Sequence, residues 1–237
     1  MSSYPVTMLL RLLSPLLWVL FALMSPALAQ DQESPEAKRV LAKMDEASRS
    51  LSDLTANIKM TKVTIVVDDK AYETGKLYYQ RGKKGSRTRL DYLAPEVKTL
   101  ILDKGKVELY EPNFNRMTEY PLGKNRAEAE FFSIGFGPTG NLTRSYDVSV
   151  AKEETLQGMK TSLLELKPKT SGTMFKGILI WVDQVRWIPE QMRFIEASGD
   201  YLTIQFENIV LNPILPDKIF HLNLPSGVQK VKAAVPH

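Results

Sequence analysis

Residues equipped for chemistry are few and scattered in this 237-residue chain, which has no Cys and only two His, His221 and His237. Without thiolates there is no disulfide framework, no Cys nucleophile, and no Cys-bound zinc or iron–sulfur cluster. Two imidazoles leave little for metal binding or proton transfer, and neither metal nor cofactor is expected. His221 alternates with Phe220, Leu222 and Leu224, which sets it on the outward face of a strand. Gly135-Phe136-Gly137-Pro138-Thr139-Gly140 fits the letters of G-x-G-x-x-G. That motif binds dinucleotides only where it joins a buried strand to a helix. Here it follows a helical segment, contains Pro138 and has no βαβ unit around it, so it reads as a helix-ending loop. There is no G-x-S-x-G, H-E-x-x-H or P-loop lysine motif. Asp68-Asp69 and Glu153-Glu154 are adjacent acids in turns, read as solvated turn chemistry.

One group of cations remains. Arg81, Lys83, Lys84, Arg87 and Arg89 form a basic cluster that suits either phosphate and lipid headgroups or a solvated hairpin. Within it Arg81 stands apart. Strand alternation puts Leu77, Tyr79 and Arg81 on one face and Lys76, Tyr78 and Gln80 on the other. Arg81 then either extends the apolar face, where a guanidinium must find acceptors, or opens the turn and points to water. Periodicity alone does not choose. The chain as a whole carries 31 Lys and Arg against 27 Asp and Glu, a net charge of +4, which does not call for a nucleic acid partner.

The elements that must position these residues begin after an export signal. Arg11 precedes an apolar run over Leu12–Met24, and Ala27-Leu28-Ala29 supplies a small-x-small cleavage site. Residues 1–29 are therefore expected to be a cleaved signal peptide and residues 30–237 one soluble domain. The alternative is a membrane anchor, for which the run is short. Ser34-Pro35-Glu36 opens a helix, followed by apolar Val40, Leu41, Met44, Ala47, Leu51 and Leu54 at helical spacing. From Ala56 the period changes to two. Strands are expected at Asn57–Val67, Glu73–Arg81, Ser86–Leu93, Lys98–Leu102, Lys106–Glu111 and Arg116–Tyr120, then at Tyr146–Lys152, Thr161–Lys167, Gly177–Asp183, Pro189–Glu196, Tyr201–Val210 and Phe220–Leu224. Between the two sets, Asn125 caps a short helix carrying Phe131, Phe132 and Ile134. A dozen strands with hardly a helix between them predict a mainly β, antiparallel sheet or barrel.

These segments resemble, in order, the LolA family of periplasmic lipoprotein carriers. The resemblance lies in Glu73-Thr74-Gly75-Lys76-Leu77-Tyr78-Tyr79-Gln80-Arg81, Leu90-Asp91-Tyr92, Ala94-Pro95-Glu96, and Leu100–Lys106 leading to Leu109-Tyr110-Glu111-Pro112. It continues in Leu163–Lys169, Asp200–Phe206 and Phe220–Val228, and spans nearly all of residues 35–232. It implies a curved antiparallel sheet, an incomplete β-barrel covered by an α lid. It also implies a monomeric carrier that takes lipoprotein acyl chains, or another lipid, from an inner-membrane donor complex to an outer-membrane acceptor. The family arginine at the end of the G-x-L strand hydrogen-bonds to lid main chain, and Arg81 matches it as a lid latch. Thr88 and Leu90 stand where family carriers often have Phe and Trp, which marks a divergent branch.

The function expected is hydrophobic transfer without covalent catalysis. Leu77, Tyr79, Leu90, Tyr92, Ile180, Met192, Phe194, Ile204 and Phe206 are expected to wall a lipid-binding cavity, roofed by Met44, Phe131, Phe132 and Ile134. Each of these side chains is equally at home as plain core. Two alternatives stay open: a periplasmic lipid-sensing scaffold acting on a membrane partner, and a hydrolase of envelope lipids or glycans built on paired carboxylates.

Overall fold

Ser34 accepts a hydrogen bond from the Ala37 amide through its Oγ at 3.1 Å, with Pro35 behind it, and so starts α1 (Pro35–Ser50). The computed structural model describes residues 34–82, 85–121, 134–171, 173 and 175–233. The expected signal at 1–29, the helix capped by Asn125, and the lid residues Phe131 and Phe132 lie outside the described residues. One stripe of α1, namely Ala37, Val40, Leu41 and Met44, is buried, and the opposite face carries the charges. The helix stops before Leu51 and Leu54 despite their helical spacing. Leu54 instead begins the inward alternation of the first strand, paired to Tyr79 and Leu211.

The strands are β1 (Asp53–Thr64), β2 (Asp69–Gly82), β3 (Gly85–Ala94), β4 (Lys98–Asp103), β5 (Lys106–Glu111) and β6 (Arg116–Pro121). After the short helix α2 (Gly140–Ser145) come β7 (Tyr146–Leu156), β8 (Met159–Pro168), β9 (Phe175–Asp183), β10 (Pro189–Glu196), β11 (Tyr201–Leu211) and β12 (Gln229–Lys232). They form one sheet in the order β12-β6-β5-β4-β3-β2-β1-β11-β10-β9-β8-β7. Every pairing is antiparallel except β12 on β6. β12 and β7 stay at opposite edges, so the barrel does not close.

Curvature follows from the core. Inward side chains of eight neighbouring strands, from Val148 on β7 to Leu90 on β3, share one apolar cluster with Val40, Leu41 and Met44 of α1. Eight strands laid flat would span about 34 Å at roughly 4.8 Å per step, far wider than one helix can cover. The sheet therefore bends around α1. Gly75 allows a close approach at a break in the β2–β3 register, because a Cβ there would sit 2.5 Å from the Asp91 carbonyl oxygen.

Two expected elements are corrected. Ile65–Val67 is a 3-10 turn and not the end of a strand. Phe220–Leu224 is not a strand either, although burial alternates over His221–Leu224. Its first residue closes a 3-10 turn at Asp217–Phe220, and among the described residues it joins no ladder. The segment lies across the outer face of β3, where Phe220 is buried under the Arg87 guanidinium, 4.3 Å from its ring, and Arg89 donates to the Ile219 carbonyl. His221 is exposed as expected, but beside Asp217 (2.9 Å) and not on a strand. Among the described residues no helix is long and apolar enough to cross a membrane.

Candidate lipid-binding site

The inner face of the sheet brings most of the expected cavity residues together. Leu77, Tyr79, Leu90, Ile180, Met192, Phe194, Ile204 and Phe206 are all buried in one cluster, with Met44 and Ile134 in it and Tyr92 half-buried against it. Ladder register explains the grouping: Leu77 faces Leu90, while Met192 lies between Ile180 and Ile204. Burial, with the Glu73 carboxylate adding to it, pushes the Tyr92 phenol up, so it stays protonated.

The hollow is nearly full. Ile58, Leu77, Leu90, Met192, Ile204 and Phe206 surround a gap of only about 10 Å³, because Phe136 fills the centre. Its ring is 1% exposed, edge-on to Phe206 at 5.3 Å and 5.9 Å from Tyr79. Phe136 comes not from the sheet but from the loop between β6 and α2, so the centre of the core is supplied by a connection. A side-chain clamp holds that loop down. Asp45 of α1 accepts from the Thr139 amide at 2.7 Å and from the Thr139 hydroxyl at 2.9 Å. On the other side Gly135, at φ +85°, lies so close to Pro189 that a Cβ would meet its ring at 2.5 Å.

Beside the stopper the molecule is open. A cavity of about 350 Å³ lies between the end of the β2–β3 hairpin and the Phe136 loop, lined by Tyr79, Arg81, Ser86, Ile134, Pro138 and Leu142 among others. Arg81 thus faces the lid loop. Its Nη2 is buried and has no hydrogen-bond partner, and among the described residues no side-chain bond from Arg81 reaches the lid main chain. Among the described residues, Thr139 ties the Phe136 loop to α1 through its two bonds to Asp45. The rest of the basic cluster is engaged elsewhere: Arg87 binds Gln80 and Asp217, and Arg89 binds Asp91, both on the outer face. Lys83 and Lys84 lie outside the described residues.

Sequence reasoning missed Phe136 and the Asp45–Thr139 clamp. For Phe136 there was a signal, since a large aromatic between two glycines has no neighbouring side chain to shelter it and must be buried by something distant. Asp45 gave none, because its partner is 94 residues away. One acid of each adjacent pair has a structural partner or role. Glu154 accepts from the Trp181 indole at 2.6 Å, and Asp68 caps a turn. An ionic knot of buried Asp183 and Glu190 with half-buried Arg186 closes the β9–β10 turn. Among the described residues no three His, Cys, Asp or Glu side chains gather as a metal would need.

Known proteins resemble this chain in sequence and in fold. The family described as outer membrane lipoprotein carrier protein LolA matches residues 65–223. An outer-membrane lipoprotein carrier protein of Pseudomonas fluorescens is 21% identical over 94% of this chain and all of its own length. One from Methylobacillus flagellatus is 25% identical over 77% of this chain and 84% of its own. Among solved structures, MucB superposes with a TM-score of 0.54 at 15% identity, over 84% of this chain and 66% of that one. An uncharacterized conserved protein from Thermus thermophilus gives 0.55 at 12% identity, over 84% and 99%. At such identities the structural likeness is one of fold.

Proposed function

Because this chain belongs to the LolA family, we propose that it is an exported carrier that takes up lipoprotein acyl chains, or another lipid, under its bent sheet and moves them towards the outer membrane. In this reading residues 1–29 are removed as a signal, the remainder works as a monomer in the periplasm, and an inner-membrane donor and an outer-membrane acceptor stand at the two ends of the route. The names of the relatives support the class of cargo. No covalent step is required. The binding wall is formed by Leu77, Tyr79, Leu90, Tyr92, Ile180, Met192, Phe194, Ile204 and Phe206, with Met44 and Ile134 as roof.

The observation that carries the reading is Phe136. A core whose centre is plugged from a loop can be emptied without unpairing a strand, since the β ladders do not depend on that ring. Burying a 16-carbon chain is worth on the order of 10 kcal/mol gross, at about 0.8 kcal/mol per CH₂. Expelling Phe136 and breaking the clamp on Thr139 offsets part of that gain, which keeps the cargo releasable. Met192 and the aromatic rings tolerate chains of differing length and branching.

The test is mass spectrometry of the protein purified from native periplasm, paired with displacement of a fluorescent acyl probe in vitro. Co-purified acylated material and saturable displacement are expected. A protein that emerges lipid-free and leaves the probe untouched is not a carrier. The lipid-sensing scaffold uses the same cavity and differs in its partner: capture of a signalling membrane protein in place of lipoproteins would favour it.

A further inference from the structure

The cavity beside Phe136 has a polar end that a purely hydrophobic cargo does not need. Among the described residues, two buried side-chain polar atoms lack any hydrogen-bond partner, Arg81 Nη2 and Thr88 Oγ1. They are not scattered. In the β2–β3 ladder Arg81 pairs with Ser86 and Tyr79 with Thr88, so both orphans lie on the inner face, one step apart on the same hairpin. A buried donor without an acceptor is costly, and Arg81 carries one such nitrogen on an otherwise half-buried side chain. Of the two, only Arg81 lines the cavity, where its guanidinium is the one charged donor among the described lining residues.

The walls say which kind. Among the described lining residues Arg81 is the single cation, and no Asp or Glu is present. Gly82, Gly85, Gly135 and Gly137 bring bare main chain to the wall, and Ser86 adds a hydroxyl beside Arg81. The opposite side is apolar, with Ile134, Pro138 and Leu142. Tyr79 borders both this cavity and the Phe136 ring, so a ligand with its head at Arg81 has its tail directed at the stopper. A planar guanidinium in such a setting suits an oxyanion far better than a neutral carbonyl.

We propose that this cavity binds the oxyanion of an acyl amphiphile, a carboxylate or a phosphate joined to a long chain, with Arg81 as its donor. The site thereby distinguishes anionic acyl ligands from neutral ones of equal length. The proposal rests on the carrier reading and gives it a polar subsite.

The experiment is competition against a neutral fluorescent acyl ester by palmitate, hexadecyl phosphate and hexadecanol, with inorganic phosphate as a fourth arm. On the wild type the two anions are expected to displace at concentrations about tenfold lower than hexadecanol, and inorganic phosphate not at all. Arg81→Leu should bring the anions to the level of hexadecanol while leaving hexadecanol unchanged. Arg81→Gln, closer in shape, gives the same comparison should the Leu variant fold poorly. Equal potency of the three chains on wild type overturns the proposal. So does an Arg81 variant that alters all three alike, which is the signature of a lid latch. Inorganic phosphate raising Tm as far as hexadecyl phosphate does would make this a free-anion site and overturn the acyl part. If no chain displaces the ester at all, the carrier reading itself falls.

Discussion

Gly75, Glu190 and Phe136 show how unevenly single residues declare their roles. Gly75 belongs to a motif that was legible, and the reason for it became visible only in the sheet: a methyl there strikes the Asp91 carbonyl oxygen at 2.5 Å. Gly75→Ala should cost about 1–3 kcal/mol in urea unfolding, as overpacking against main chain does; a change under about 0.5 kcal/mol would mean the ladder gives way freely. Glu190 was not singled out from the sequence, since nothing local distinguishes it from a surface acid. Burial pushes its carboxyl up from the ordinary 4.5, with the Asp183 charge adding and Arg186 opposing. A carboxyl raised in the folded state takes up its proton there before the unfolded chain does. Folding therefore gains stability as pH falls from the folded value towards 4.5 and gains nothing further below it. Relative to Glu190→Gln, the wild type should gain Tm as pH is lowered through that window and run parallel below it. A difference independent of pH would show that the carboxyl is not raised.

At the scale of elements, most strands were legible because alternation and turn residues agree, and Lys106–Glu111 and Pro189–Glu196 lie within the bounds their periodicity predicts. Two failures have separate causes. Alternation over Phe220–Leu224 reports one sheltered side, and a segment crossing the outer face of a sheet has that just as a strand does. The four-residue β12 has too few residues for a period to emerge. Loops carry function by long-range contacts that no local pattern encodes, and the Asp45–Thr139 clamp is the instance here. Asp45→Ala removes two charge-assisted hydrogen bonds and should cost about 1–3 kcal/mol. It should also speed release of an acyl probe severalfold, since the Phe136 loop then loses the side-chain bonds that tie it to α1. Stopped-flow dissociation matching the wild type would show that the loop does not gate the cavity.

For the whole molecule, the open, bent sheet with a helix in its concavity was legible from the order of strands and the resemblance together, whereas the state of its interior was not. Sequence patterns place apolar side chains on an inner face, but whether those side chains enclose a void or are met by a ring from a loop depends on a contact between distant segments. The residues expected to wall a hollow do converge, and in this structure Phe136 occupies the space between them. Carriage of lipid under the sheet requires this ring to yield its place to a fatty tail. Methyl NMR on protein labelled at Ile, Leu and Met, titrated with a 16-carbon chain, observes that exchange at the residues concerned. Met192, Ile204, Ile58 and Leu77 should shift together and show cross-relaxation to the chain, while Phe136 loses its contact with Phe206. Inner methyls that stay fixed while only exposed positions such as Ile65 respond would place the lipid on the outside and contradict a carrier with an internal site.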